Sequence, residues 1–211
     1  MRRALVAAAA LLPLACSEPT PPSRVRAYDF KDAGGDVFHW PSDRRPVRFY
    51  AQRTGNLRTL AQHAIDSWAG VFLYGEFTGT LVADSTGADV IVEADSAPDV
   101  PPDPGAPVYA CNGATSVPST DVSNRYTEAF HIRLAVLPGF TPAQVAACLR
   151  RTTIHEAGHA LGLFQHSPDP GDIMWGPSGA TPITADGPSD RDRRTVEVLY
   201  HTTPTLLPPP P

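Results

Sequence analysis

Two histidines four residues apart, His155 and His159, enclose Glu156 in the pattern HExxH. On an α-helix, residues i and i+4 lie one above the other on a single face, so both imidazoles can reach one metal ion. Glu156 follows the first histidine and projects to one side, where it can act on a metal-bound water rather than on the metal. Gly162, three residues after His159, can take the left-handed conformation that ends a helix and turns the chain. His166 then stands where a returning loop delivers a third nitrogen. Three protein ligands and an open fourth position describe a catalytic zinc site, not a closed structural one. HExxH by itself also occurs inside ordinary amphipathic helices. Here the glycine, the third histidine and Met174, eight residues after His166, all follow within twenty residues. Chance does not readily supply that set.

The stretch resembles the zinc-binding consensus of the metzincin metalloproteases, HExxHxxGxxH followed by a Met-turn. Within that clan it is most similar to the small bacterial matrixins. The resemblance implies a zinc endopeptidase in which His155, His159 and His166 hold one catalytic Zn2+, Glu156 is the general base and Met174 lies beneath the metal. It also implies a mixed α/β (α+β) domain with a twisted, mostly parallel sheet of about five strands and three helices. One position departs from the family. Its third histidine falls ten residues after the first, where this chain has Gln165, and His166 comes one residue late. A loop absorbs an extra residue, and imidazole is a far better zinc ligand than a neutral amide. His166 is therefore the expected ligand, with Asp169 as the alternative. Astacin-like and serralysin-like branches carry a tyrosine two residues after the methionine; Gly176 stands there, which favours the matrixin-like branch. Residues 175–179 are expected to wall the pocket for the side chain that follows the scissile bond.

The helix that must carry this motif has a clear start. Thr141 is a good N-cap and Pro142 suits the first helical position. Val145, Cys148, Leu149, Thr152 and Ala160 supply its buried face. Upstream, residues 46–50 alternate and carry β-formers, predicting a first strand. Residues 58–72 place Leu60, Ala64, Ile65, Trp68 and Val71 at helical period, with Asn56 as N-cap. Residues 77–82 and 88–93 read as two more strands, the second resembling the third strand of matrixin-like domains. Residues 109–117 predict a short edge strand and residues 130–136 a better one. Ser189 can cap a last helix whose Val196, Leu199 and Tyr200 pack inward, and residues 190–200 resemble the C-terminal helix of matrixin domains. His63 and His131 fall on a helix and a strand, and their expected roles are packing and surface. Residues 95–107 are dense in Pro and Asp and predict a loop, in which Asp95, Asp99 and Asp103 offer a candidate Ca2+ site without the spacing of any known calcium loop.

The chain has 211 residues, enough for one domain with a sizeable core, and 42% of them are apolar. A net charge of −5 with no basic stripe argues against nucleic acid as a partner. Met1-Arg2-Arg3 followed by the apolar residues 4–14 predicts a secretory signal at residues 1–15. Ala15-Cys16 resembles a bacterial lipoprotein cleavage box, which would make Cys16 the lipidated residue; an ordinary signal peptide cut near Ala15 is the alternative. Setting Cys16 aside leaves Cys111 and Cys148, an even pair in an exported protein and the expected disulfide, with two unpaired buried thiols as the alternative. Residues 16–36 read as a lipidated, Pro-rich tether, residues 37–203 as the metalloprotease domain, and residues 204–211 as a disordered Pro-rich tail.

The function expected from these readings is hydrolysis of peptide bonds by an exported, lipid-anchored enzyme of the cell envelope, on the outer membrane or cell surface, or otherwise secreted. In it Glu156 activates a zinc-bound water. Its partners would be a protein or peptide substrate and a membrane, and the chain is expected to be monomeric. The alternative is a catalytically weak or inactive zinc- or peptide-binding surface module on the same scaffold. Such modules often lose the glutamate; Glu156 is present.

Overall fold

Alternation between core and surface makes Val47–Ala51 strand β1: Val47, Phe49 and Ala51 are buried, while Arg48 and Tyr50 are half-buried on the opposite face. The computed structural model describes residues 25–95, 109–176 and 184–210. After β1 come α1 (Leu57–Ala69), β2 (Gly79–Leu81), β3 (Val90–Asp95), β4 (Cys111–Ser116), β5 (Phe130–Val136), α2 (Pro142–Ala160) and α3 (Asp190–Tyr200). The fold is mixed α/β, with one five-stranded sheet in the order β2-β1-β3-β5-β4 and three helices. The first four strands in that order run parallel, and β4 is antiparallel to β5 at the edge.

α1 buries Leu57, Leu60, Ala61, Ala64, Ile65 and Trp68 and packs on both the sheet and α2. Its N-terminus differs from expectation, because the Asn56 side chain makes no capping bond. Two tryptophans fasten α2 to the core. Trp68 Nε1 donates to Ile154 O at 2.8 Å, and Trp40 Nε1 donates to Ala160 O at 2.9 Å. The second bond satisfies a carbonyl that the end of the helix would otherwise orphan. Phe38, Trp40, Tyr126 and Phe130 form a fully buried aromatic cluster with ring centroids 5.0–5.8 Å apart.

Two expected boundaries need correction. Residues 25–36, read as part of the tether, lie on the domain: Phe30 is buried, and the Tyr28 hydroxyl donates to Asp192 Oδ1 at 3.0 Å. Residues 204–210, read as a disordered tail, are also packed. Leu206 is buried, Thr205 and Leu206 both donate backbone N–H to Val37 O, and Leu207 pairs with Arg125. In both places a few apolar residues dock into gaps among polar and proline neighbours, so composition signalled a linker. The expected signal at residues 1–15, Cys16, Asp99 and Asp103 lie outside the described residues. Among the described residues, no helix is long and apolar enough to cross a membrane.

Candidate metal centre

α2 begins with a full capping box: Gln144 N–H donates to Thr141 Oγ1, and Thr141 N–H donates to Gln144 Oε1 at 2.9 Å. It ends in a Schellman turn, in which Leu163 N donates to Gly158 O and Gly162 N donates to His159 O. Gly162 sits at φ +106, and a Cβ there would fall 1.9 Å from Phe38 O. Only glycine fits, and the chain turns back at once toward the helix face that carries the two histidines.

His155 and His159 are each oriented by a backbone carbonyl. His155 Nδ1 lies 2.7 Å from Ile173 O, and His159 Nδ1 lies 2.5 Å from Leu163 O. A carbonyl oxygen can only accept, so each Nδ1 carries the proton and each Nε2 presents a lone pair. The two Nε2 atoms are 3.1 Å apart, and His166 Nε2 is 3.3 Å from that of His159. All three ligand atoms lie within 4.8 Å of one another. Lone pairs converging at this distance repel unless a cation stands between them; the three residues could hold a metal ion. Burial holds His155 down to about 4, partly offset by the bond to Ile173. Burial, with His155 alongside, holds His159 at about 4, and burial also lowers His166. At neutral pH all three are neutral, as metal ligation requires.

His166 reaches the site through a shaped loop. Its ring lies over Gly176, where a Cβ would come within 2.5 Å of the ring atoms. Ser167 N donates to Met174 O at 2.7 Å, closing the loop onto the Met-turn. Asp169, the alternative ligand, is not in the cluster and pairs with Arg191 at 2.8 Å. Gln165 points elsewhere and donates to Lys31 O at 2.9 Å. Met174 is fully buried, and its thioether packs against α2 at Gly158, where a Cβ would fall 2.4 Å from Sδ.

Glu156 is buried beside the histidines. Thr115 Oγ1 lies 2.8 Å from its Oε2 and 2.9 Å from its backbone O, so the single hydroxyl proton is shared between the two acceptors, and the Glu156 Cγ and Oε1 pack against Gly113 of β4. Burial raises its carboxyl above the usual range, against the lowering influence of His159 and of hydrogen bonds from the Thr115 side chain and backbone. A cleft of about 1070 Å³ opens over these groups, walled by β4, by the α2 face from Gln144 to His159, and by His166, Trp175 and Gly176. A disulfide joins Cys111 of β4 to Cys148 of α2 across that wall. Residues 177–179 of the expected pocket wall lie outside the described residues.

Other residues support the site without an obvious sequence signal. Thr115 could be found only as the neighbour of Gly113 on one face of an edge strand. Asp192 accepts from Ile173 N at 2.8 Å, Met174 N at 3.4 Å and Ser189 N at 2.9 Å, so α3 holds the Met-turn by its backbone. Its signature is the capping pattern Ser189-x-x-Asp192. His131 faces Glu93 across β3 and β5 at 3.1 Å, and His63 lies half-buried on α1; neither joins the cluster. No model of a known protein family matches the chain, and no curated protein matches it.

Proposed function

We propose that the chain is an exported zinc endopeptidase of metzincin, matrixin-like type, with His155, His159 and His166 as the zinc ligands and Glu156 as the general base. The observation that carries the reading is the convergence of three neutral imidazoles beside one buried carboxylate, on the floor of a cleft bordered by a strand edge. The donor set fits the metal. Tetrahedral zinc with Zn–N bonds of 2.0–2.1 Å needs nitrogens about 3.3 Å apart; two of the three pairs stand at 3.1 and 3.3 Å and the third lies within 4.8 Å, so a small inward turn of His166 completes the set. Bound zinc would supply Lewis acidity toward a carbonyl oxygen and acidify a water to a pKa of about 7.

The protein's own groups do the rest. Held by Thr115, the Glu156 carboxylate takes a proton from the attacking water and returns it to the leaving amine. Its raised proton affinity suits both halves of that task. Among the described residues no strand pairs with the outer edge of β4. An extended peptide can add there through main-chain hydrogen bonds, which lay its backbone across the cleft. The Cys111–Cys148 bridge, which ties that edge to α2, suits an oxidising compartment and supports export. Anchoring through Cys16 rests on the sequence alone.

The test is cleavage of a random peptide library by protein carrying residues 17–211, with Glu156→Ala and a chelator alongside. Cleavage abolished by both establishes the enzyme, and the cut sites give its preference. Zinc bound with no peptide cut would replace this reading with a non-catalytic binding module.

A further inference from the structure

Gln165 stands where the motif's usual spacing would put the third ligand, yet its side chain turns away from the centre to Lys31 O. One residue earlier, Phe164 N donates to Phe30 O at 3.0 Å. Consecutive residues of the ligand loop are thus bonded to consecutive residues of the N-terminal segment. That segment is itself anchored. Phe30 is buried, Tyr28 N donates to Thr195 Oγ1 at 3.2 Å, and the Tyr28 hydroxyl donates to Asp192. Asp192 is the same carboxylate that holds the backbone of Ile173 and Met174. With Phe164 and Gln165 fixed toward that segment, the next residue turns inward, and His166 comes to lie over Gly176 with Nε2 3.3 Å from that of His159.

We propose that residues 28–31 form a positioning strap for the metal centre, setting the loop register so that residue 166 rather than 165 supplies the third nitrogen. The proposal rests on the reading of this site as a zinc centre. A loop with one extra residue has two ways to present a ligand, and a neighbouring segment that captures residue 165 removes one of them. Groups hydrogen-bonded directly to a metal ligand change metal affinity by about 10–100-fold when removed, and a strap that acts one residue away through the backbone falls at the low end of that range.

The experiment measures zinc affinity by competition with a chromophoric chelator, on the protein with residues 25–36 intact. Co2+ absorption reads the coordination, and metal-free thermal unfolding checks the fold. Two variants are compared with the unaltered protein: Gln165→Ala, and the exchange Gln165→His with His166→Gln. The expected results are zinc affinity weaker by about tenfold or more for Gln165→Ala at an unchanged metal-free midpoint, and weaker still for the exchange, with an altered Co2+ spectrum. Wild-type affinity in Gln165→Ala overturns the strap, as does an affinity loss only in step with a lost metal-free fold. An exchanged protein that binds zinc as tightly as the unaltered one also overturns it, and that arm decides alone if Gln165→Ala does not fold. Failure of the unaltered protein to bind zinc would instead refute the metal centre itself, and the same titration shows it separately.

Discussion

Gly158→Ala tests whether the interior of the HExxH helix is shaped around Met174. Alanine is the better helix former, so propensity alone predicts a gain of about 1 kcal/mol. Packing predicts the opposite. The new Cβ would fall 2.4 Å from Met174 Sδ and 2.8 Å from Trp68 Cζ2, well inside ordinary contact. Trp68 cannot swing aside without breaking its bond to Ile154 O, and both neighbours are fully buried. Overpacking of this kind costs about 1–3 kcal/mol, and two clashes against buried groups place it at the upper end. The net loss is then about 2 kcal/mol, or about 4–8 °C in the thermal midpoint of a domain this size. Relief through Met174 would also move the carbonyl that holds Ser167 N, next to His166, so zinc affinity should fall as well. Thermal unfolding with and without zinc, together with chelator competition, measures both effects. A midpoint equal to or above that of the unaltered protein would refute the packing argument and leave propensity in charge.

Three further outcomes are expected. In a Glu156→Gln background, which removes the opposing contribution of that raised carboxyl, the metal-free protein should lose stability as pH falls from about 6.5 to about 4. The folded-state values of His155 and His159, both about 4, lie below the unfolded value, so the unfolded chain binds more protons across that window. One such imidazole is worth roughly 3 kcal/mol, and denaturant titrations at pH 7 and pH 4.5 should differ in that direction; equal midpoints would contradict it. Replacing Cys111 and Cys148 together by alanine should cost about 4 kcal/mol in urea unfolding for a bridge spanning 37 residues, whereas a loss below about 1 kcal/mol would mean that the bridge adds no constraint. Thr115→Val should lower kcat about tenfold or more at unchanged KM and zinc affinity, since a charge-assisted hydrogen bond to Glu156 Oε2 is worth about 1.5–3 kcal/mol. Thr115→Ser should restore the rate, and an unaltered kcat in the valine variant would dismiss Thr115 as a positioning group.

The parts of the fold with a strong local signal were legible. Residues 130–136 form β5 as expected, because alternating apolar side chains need one buried face whatever surrounds them. α2 begins at the Thr141-Pro142 pair, where capping is encoded within four residues. Other elements shifted at their ends. α1 stops at Ala69 rather than residue 72, and only Gly79–Leu81 of the expected residues 77–82 pair as a strand, while Phe77 turns into the core. The misread segments are those whose order comes wholly from distant partners. Tyr28 and Phe30 acquire their places from Asp192 and the core, about 160 residues away in the case of Tyr28. The same holds within the site. His155, Glu156 and His159 share a helix and announce one another, whereas Thr115 reaches Glu156 from an edge strand and Asp192 reaches the Met-turn from the last helix.

The bonds between the two flanking segments also decide how the domain bears load. Val37 O receives the N–H groups of both Thr205 and Leu206, and Val37 N donates to Thr205 Oγ1. The next residue, Phe38, presses its carbonyl against Gly162 at the end of α2. A pull applied ahead of residue 28 meets residues 28–31 first, whose bonds run to Thr195, Asp192, Phe164 and Gln165. Tension on that side therefore reaches the loop that carries His166 before the bonds at Val37. The contacts that meet such a pull first are those behind His166 rather than those of the sheet.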